Sequence, residues 1–256
     1  MKILFIGDII GNPARKKICS QLPDIIEKEN IFFTIAQGEN LAGGIGITEK
    51  TAKELFEAGV DCITTGNHVW KHKEVYKYLD EETRLLRPAN YPEGVPGIGY
   101  FVYEKENCKI GVINLEGRAF MKPLQDPFSI GKKIAESMYK ETKNILVDFH
   151  AEATGEKRAL SLYLSEYTTA FIGTHTHVQT ADERIINSKT AYISDVGMVG
   201  SMDSVIGVKK EEIIKHLLLS LPQKFKVAKE NILANCVIVD FDEKTGRAHS
   251  IIRYNF

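Results

Sequence analysis

Short continuous apolar runs recur along this chain, each closing on glycine or a polar residue, with longer amphipathic stretches between them. Ile3-Leu4-Phe5-Ile6, ended by Gly7-Asp8, has the length and uniformity of a buried strand. Gly11-Asn12-Pro13 breaks the pattern, and Pro13 suits the first turn of a helix to about Glu29. A second strand, Ile31 to Ala36, ends in Gly38-Glu39-Asn40. The segment Gly43-Gly44-Ile45-Gly46 behind it matches neither G-x-G-x-x-G nor a P-loop and reads as a plain loop, before a helix that Thr48 caps and Gly59 ends. Cys62 to Thr65 forms a third strand, closed by Gly66-Asn67-His68 and followed by a short helical pattern through Tyr78 and Leu79. Residues 80 to 99 are irregular and rich in Pro and Gly.

Strands near Tyr100 to Glu104 and Lys109 to Leu115 pair as a hairpin. Glu116 to Phe128 is again irregular, and a helix from about Ser129 to Thr142 precedes the strand Ile145 to Phe149, which closes on His150. A helix from Glu156 to Glu166 leads to the apolar Thr169 to Ile172 and then to Gly173-Thr174-His175-Thr176-His177. Beyond this the alternation of strand and helix fails. The pattern predicts two short strands over 184–193, a Gly-rich loop over 195–208, an amphipathic helix over 209–219 and three strands from 225 onward. The expectation is one α/β domain over 1–256 whose later strands are antiparallel.

Composition narrows the function classes. Lys+Arg 33 against Asp+Glu 34 leaves a net charge of -1, so no global field draws the protein to a nucleic-acid polymer or an anionic membrane, and any phosphate must be held locally. Cys19, Cys62, Cys108 and Cys236 are far apart and form no C-x-x-C pair, which suits reduced thiols and a cytoplasmic location. No signal-peptide core precedes the first strand, and no apolar run has transmembrane length.

The chemistry lies where the strands end. His175 and His177 are two residues apart, free to turn toward one point, and Asp8, Glu39 with Asn40, Asn67 with His68, and His150 each follow an apolar strand. Taken singly, these are ordinary turn residues or hydrogen-bonded surface histidines. Together they point to one edge, because ligands of open α/β sheets bind beyond the carboxyl ends of the strands. Three histidines, two carboxylates and two amides, with His68 besides, are too many ligands for one catalytic ion and suit two. Nitrogen and oxygen donors without sulfur fit iron, manganese or zinc. Two such ions outweigh the charges of Asp8 and Glu39, attracting phosphate and lowering the pKa of a bridging water to give hydroxide. His72 and His216 read as solvated, His249 lies far from the ligand blocks, and Tyr91 and Phe120 are read as packing residues before base-stacking ones.

The ordered blocks resemble those of the calcineurin-like metallophosphoesterases. Phe5-Ile6-Gly7-Asp8, Gly38-Glu39-Asn40, Gly66-Asn67-His68, Arg87-Pro88-Ala89-Asn90, Asp148-Phe149-His150-Ala151-Glu152-Ala153-Thr154 and Thr174-His175-Thr176-His177-Val178-Gln179-Thr180-Ala181-Asp182 are similar to its YmdB-like phosphodiesterase branch. The superfamily's Asp-x-His is here Asp8-Ile9-Ile10, with Asn40 as the replacement ligand, and Val199-Gly200-Ser201 departs from the branch in a loop of substrate contacts. The resemblance implies two packed mixed β-sheets flanked by helices, and two divalent or mixed-valence ions, iron foremost. One ion would be held by Asp8, Glu39, Asn40 and His177, the other by Glu39, Asn67, His150 and His175, with Glu39 bridging and His68 as general acid. It also implies hydrolysis of 2',3'-cyclic nucleotides to 3'-phosphates. Alternatives are a phosphomonoesterase, a single-strand nuclease, or a regulatory nucleotide-binding protein acting through a protein partner; a homo-oligomer is left open.

Overall fold

A computed structural model describes residues 1–256. β1 (Lys2–Ile6), β2 (Asp8–Ile9), α1 (Gly11–Glu29), β3 (Ile31–Gln37), α2 (Glu49–Glu57), β4 (Cys62–Thr64), α3 (Val75–Glu81) and β5 (Leu85–Leu86) build most of a first sheet and its helices. A second sheet follows from β6 (Tyr100–Lys105), β7 (Cys108–Glu116), α4 (Pro127–Met138), β8 (Asn144–His150), α5 (Thr154–Leu164), β9 (Ala170–Thr174), β10 (Arg184–Ile186) and β11 (Thr190–Ile193). The chain then returns through β12 (Met198–Ser201), the small hairpin of β13 (Ser204–Val205) and β14 (Val208–Lys209), α6 (Lys210–Leu219), β15 (Ile232–Phe241) and β16 (Ala248–Asn255).

The first sheet runs β2-β12-β15-β1-β3-β4-β5, with β16 also pairing β15; the second runs β10-β11-β9-β8-β7-β6. Both are mixed, as the family resemblance implies: β1, β3 and β4 are mutually parallel while β15 is antiparallel to β1. In the second sheet β7, β8, β9 and β11 are parallel and β6 and β10 antiparallel.

β1 shows why these strands read as continuous apolar runs. Leu4 and Ile6 pack under α1 and α2, while Ile3 and Phe5 point into the layer between the sheets with Phe33, Ile110, Val112 and Val237. Side chains alternate faces at a period of two, so a strand covered on both sides must be apolar at every position. On the far side α4 and α5 cover the second sheet through Leu115, Ile134, Val147, Leu160 and Phe171. Thr48 caps α2 in a reciprocal pair with Thr51, as expected of it, and Asp126 caps α4 through Phe128 and Ser129.

Several elements differ from the sequence reading, among them β5, which lies within the stretch 80–99 read as irregular. The stretch 195–208 is not loop throughout, because β12 enters the first sheet between β2 and β15. From 225 onward there are two long strands, and the only pairing before them is an isolated bridge between Val208 and Val227. The helix placed over 129–142 starts at Pro127 and stops at Met138. α6 buries none of its residues and leaves Leu217 and Leu218 exposed. No helix is long and apolar enough to cross a membrane.

Candidate metal centre

The five polar groups do meet, but on an edge shared by two facing sheets, not on one open sheet. Asp8 follows β1, Glu39 and Asn40 follow β3, and Asn67 and His68 follow β4, all in the first sheet; His150 ends β8, and His175 and His177 follow β9, in the second. Glu39 is the common neighbour. Its Oε2 lies 3.2 Å from His150 Nε2 and accepts from His68 N at 3.1 Å, and its Oε1 accepts from Asn40 Nδ2 at 3.2 Å. Glu39, His150 and His175 each offer a ligand atom within 4.8 Å of the others.

His150, His175 and His177 each have one ring nitrogen engaged by a group outside the donor set, leaving the other for the site. His177 Nδ1 donates to the Ile206 carbonyl at 2.9 Å, which leaves Nε2 turned to the site, 3.3 Å from Asn40 Nδ2 and 3.7 Å from Asp8 Oδ1. His175 Nε2 faces Glu152 Oε2 at 3.2 Å, and its Nδ1 turns inward, 3.0 Å from His150 Nε2. His150 Nδ1 lies 3.0 Å from both Gln37 Nε2 and Thr174 Oγ1, and the Thr174 hydroxyl donates to Asp148 Oδ1 at 2.8 Å. His68 Nδ1 donates to Asn40 Oδ1 at 2.9 Å and lies 3.0 Å from Glu39 Oε1, leaving Nε2 on a side chain one-third exposed. A second hydrogen bond of this kind fixes the tautomer and ring plane of a metal-binding histidine.

Backbone geometry serves the same end. His175 and His177 have φ of 102° and 65°, a left-handed conformation that costs about 1–3 kcal/mol at each non-glycine residue and persists only where the surroundings impose it. Gly66 has no room for a side chain: a Cβ there would lie 2.1 Å from His150 Cδ2.

The site is electrostatically unfinished. Asp8 is fully buried and its Oδ1 has no hydrogen-bond partner; nor has the buried Asn67 Oδ1. Burial raises the Asp8 carboxyl above its ordinary value, against the pull of His177. Burial acts the same way on Glu39, but His150 and His68 outweigh it and hold that carboxyl well below its ordinary value. Burial would lower His150, yet Glu39 beside it lifts it to about 9, whereas burial and then His150 push His175 down to about 3. Orphaned buried oxygens and facing ring nitrogens are costly without a partner, and a cation held by these oxygen and nitrogen donors would satisfy them. The donor set therefore fits metal.

The outer partners Thr174, Asp148, Glu152 and the Ile206 carbonyl escaped the sequence reading. Asp148 could have been suspected, as a carboxyl in the middle of an apolar strand. His72, read as solvated, donates through Nε2 to the Ile45 carbonyl of the glycine loop at 3.1 Å. His249 is exposed on β16, away from the site. Tyr91 is buried edge-on against Trp70, with ring centres 5.4 Å apart, as a packing residue should be; Phe120, by contrast, is 92% exposed.

Two mixed sheets between helices, with these residues at the strand ends, define the class: a calcineurin-like metallophosphoesterase fold. Within it, the chain belongs to the family described as YmdB-like protein, which it matches over residues 4–254. It is 46% identical over 254 residues to a 2',3'-cyclic-nucleotide 2'-phosphodiesterase of Bacillus subtilis (strain 168), covering 99% of this chain and 96% of that one. Among solved structures, a novel phosphatase from Mycoplasma pneumoniae superposes with a TM-score of 0.94 at 33% identity, over 100% of this chain and 93% of that one. A hypothetical protein from Thermus thermophilus superposes with a TM-score of 0.93 at 39% identity, over 100% of this chain and 99% of that one.

Proposed function

We propose that this protein is a metal-dependent phosphodiesterase that hydrolyses 2',3'-cyclic nucleotides to 3'-phosphates. The observation that carries the reading is the set of inward-facing donors. His150 Nε2, His175 Nδ1, His177 Nε2 and the oxygens of Asp8, Glu39 and Asn67 converge with their outer atoms already engaged or their inner atoms unpaired. The activity named for the Bacillus subtilis relative supplies the substrate class. Asp8, Glu39, Asn40 and His177 would hold one ion and Glu39, Asn67, His150 and His175 a second, with Glu39 shared; iron leads, with manganese and zinc as alternatives.

When bound, the ions supply Lewis-acid charge and an activated water as nucleophile. The protein's own groups do the rest. Asn40 and Glu39 hold the His68 ring by Nδ1, so its free Nε2 can carry a proton toward the substrate. As water attacks phosphorus, the bond from phosphorus to the ribose 2'-oxygen breaks and His68 Nε2 gives its proton to that oxygen, leaving the 3'-phosphate.

Two variants test the assignment. His68→Ala should keep its metal content and lose turnover by about 10²- to 10⁴-fold; parental turnover would remove His68 from the mechanism. Glu39→Ala should lose both metal and activity, and retention of two ions by elemental analysis would refute the bridge. The Mycoplasma pneumoniae structure is described as a phosphatase, which favours a monoesterase as second reading. Rates on 2',3'-cyclic nucleotides, nucleoside monophosphates and short oligonucleotides separate the two.

A further inference from the structure

Behind the loop that carries His175 and His177 lies a buried ion pair that the reaction above does not use. Lys157, on α5, is 1% exposed, and its Nζ donates to Asp195 Oδ2 at 2.8 Å. The same oxygen accepts from Thr176 N at 3.0 Å and from Thr176 Oγ1 at 2.8 Å, and Asp195 Oδ1 accepts from Gly197 N at 2.8 Å. Thr176 is the residue between the two histidines, each at positive φ. The strand end before it is pressed against the Asp195 segment: Val196 N donates to the Gly173 carbonyl at 2.9 Å, and a Cβ on Gly173 would lie 1.9 Å from the Ser194 oxygen.

We propose that the Lys157–Asp195 pair is a positioning device for the metal centre, holding Thr176 so that the His175 and His177 rings are set for coordination before a cation arrives. This rests on the reading of the site as a metal centre. An uncommon backbone conformation at two non-glycine residues persists only where the surroundings over-determine it, and the bonds to Thr176 are the constraint placed between them. Buried ion pairs add little net stability compared with apolar groups of similar volume, so stability alone does not account for this one. Directional, charge-assisted bonds fix geometry, and a carboxylate can accept from Lys157, both Thr176 donors and Gly197 at once, which an amide of the same shape cannot. Neither Lys157 nor Asp195 is among the residues that would hold an ion.

The test is calorimetric titration of Mn²⁺ into chelator-stripped parent, Asp195→Asn, Lys157→Met and Thr176→Val, with the melting temperature of each stripped protein recorded. Outer partners of metal ligands typically govern affinity by about 10- to 100-fold, and that weakening is expected for Asp195→Asn and Lys157→Met. Thr176→Val removes one hydroxyl bond and leaves the ion pair in place, so a loss of about three- to tenfold is expected, with turnover recovered at high Mn²⁺. A scaffold-only role would lower melting temperatures and leave affinity alone. Unchanged Mn²⁺ affinity in the folded variants overturns the proposal, and Thr176→Val decides it should the other two fail to fold. A parent that binds no Mn²⁺ overturns the metal reading along with it, whereas equal tight binding by parent and variants overturns this proposal alone.

Discussion

Glu116 shows what one residue can report. It ends β7, fully buried, with neither carboxyl oxygen hydrogen-bonded, while Asn90 clamps its backbone: Glu116 N donates to Asn90 Oδ1 at 2.9 Å and Asn90 Nδ2 donates to the Glu116 carbonyl at 2.8 Å. Burial pushes its carboxyl up to about 7, against the opposing pull of His150. An unfolded glutamate titrates near 4.5, so between that value and about 7 the native state binds more protons, and stability falls as pH rises through this window. Glu116→Gln, in chelator-treated protein, should therefore gain up to about 3 kcal/mol over the parent at pH 8, and the gain should vanish at pH 4. Urea unfolding at both pH values measures this, and a difference independent of pH would contradict it. At this scale the inward groups were legible in the sequence, because Asp, Glu, Asn and His after apolar strands are chemically conspicuous. Glu152 and Thr174 were not, since the worth of an ordinary carboxyl or hydroxyl depends on which ring it faces.

Among the elements, the turn after β4 packs directly against a ring of the site. Gly66 leaves its Cβ space to the His150 ring, so Gly66→Ala must displace a buried side chain that ends β8 in the other sheet. The variant should fold with a loss of about 1–3 kcal/mol and bind metal poorly, read by thermal unfolding and elemental analysis; parental metal content would show that His150 is free to move. Strands with local apolar runs, such as β1, β3 and β8, were visible in the sequence. β12 was hidden because Met198-Val199-Gly200-Ser201 is short and gains its partners, β2 and β15, from distant parts of the chain. Phe225 and Val227 supplied the apolar residues of a further strand, but only Val227 finds a bridge. α6 reads as amphipathic, yet its apolar side is exposed, so the periodicity that usually marks a core-facing helix does not do so here.

Across the whole molecule, two sheets bring their carboxyl-end edges to one place, and that convergence makes a centre from residues as far apart as Asp8 and His177. The strand ends could be read from the chain, but the facing of two sheets could not: periodicity shows that a strand is buried on both sides without showing what covers it. The resemblance to a known family supplied that step, and the sheet order agrees with it. The most direct test is anomalous scattering from crystals of protein purified without chelator, collected across the iron, manganese and zinc edges. Two peaks sharing Glu39, one with Asp8, Asn40 and His177 and the other with Asn67, His150 and His175, are predicted; a single fully occupied peak with Glu39 turned away would contradict the shared-carboxylate centre.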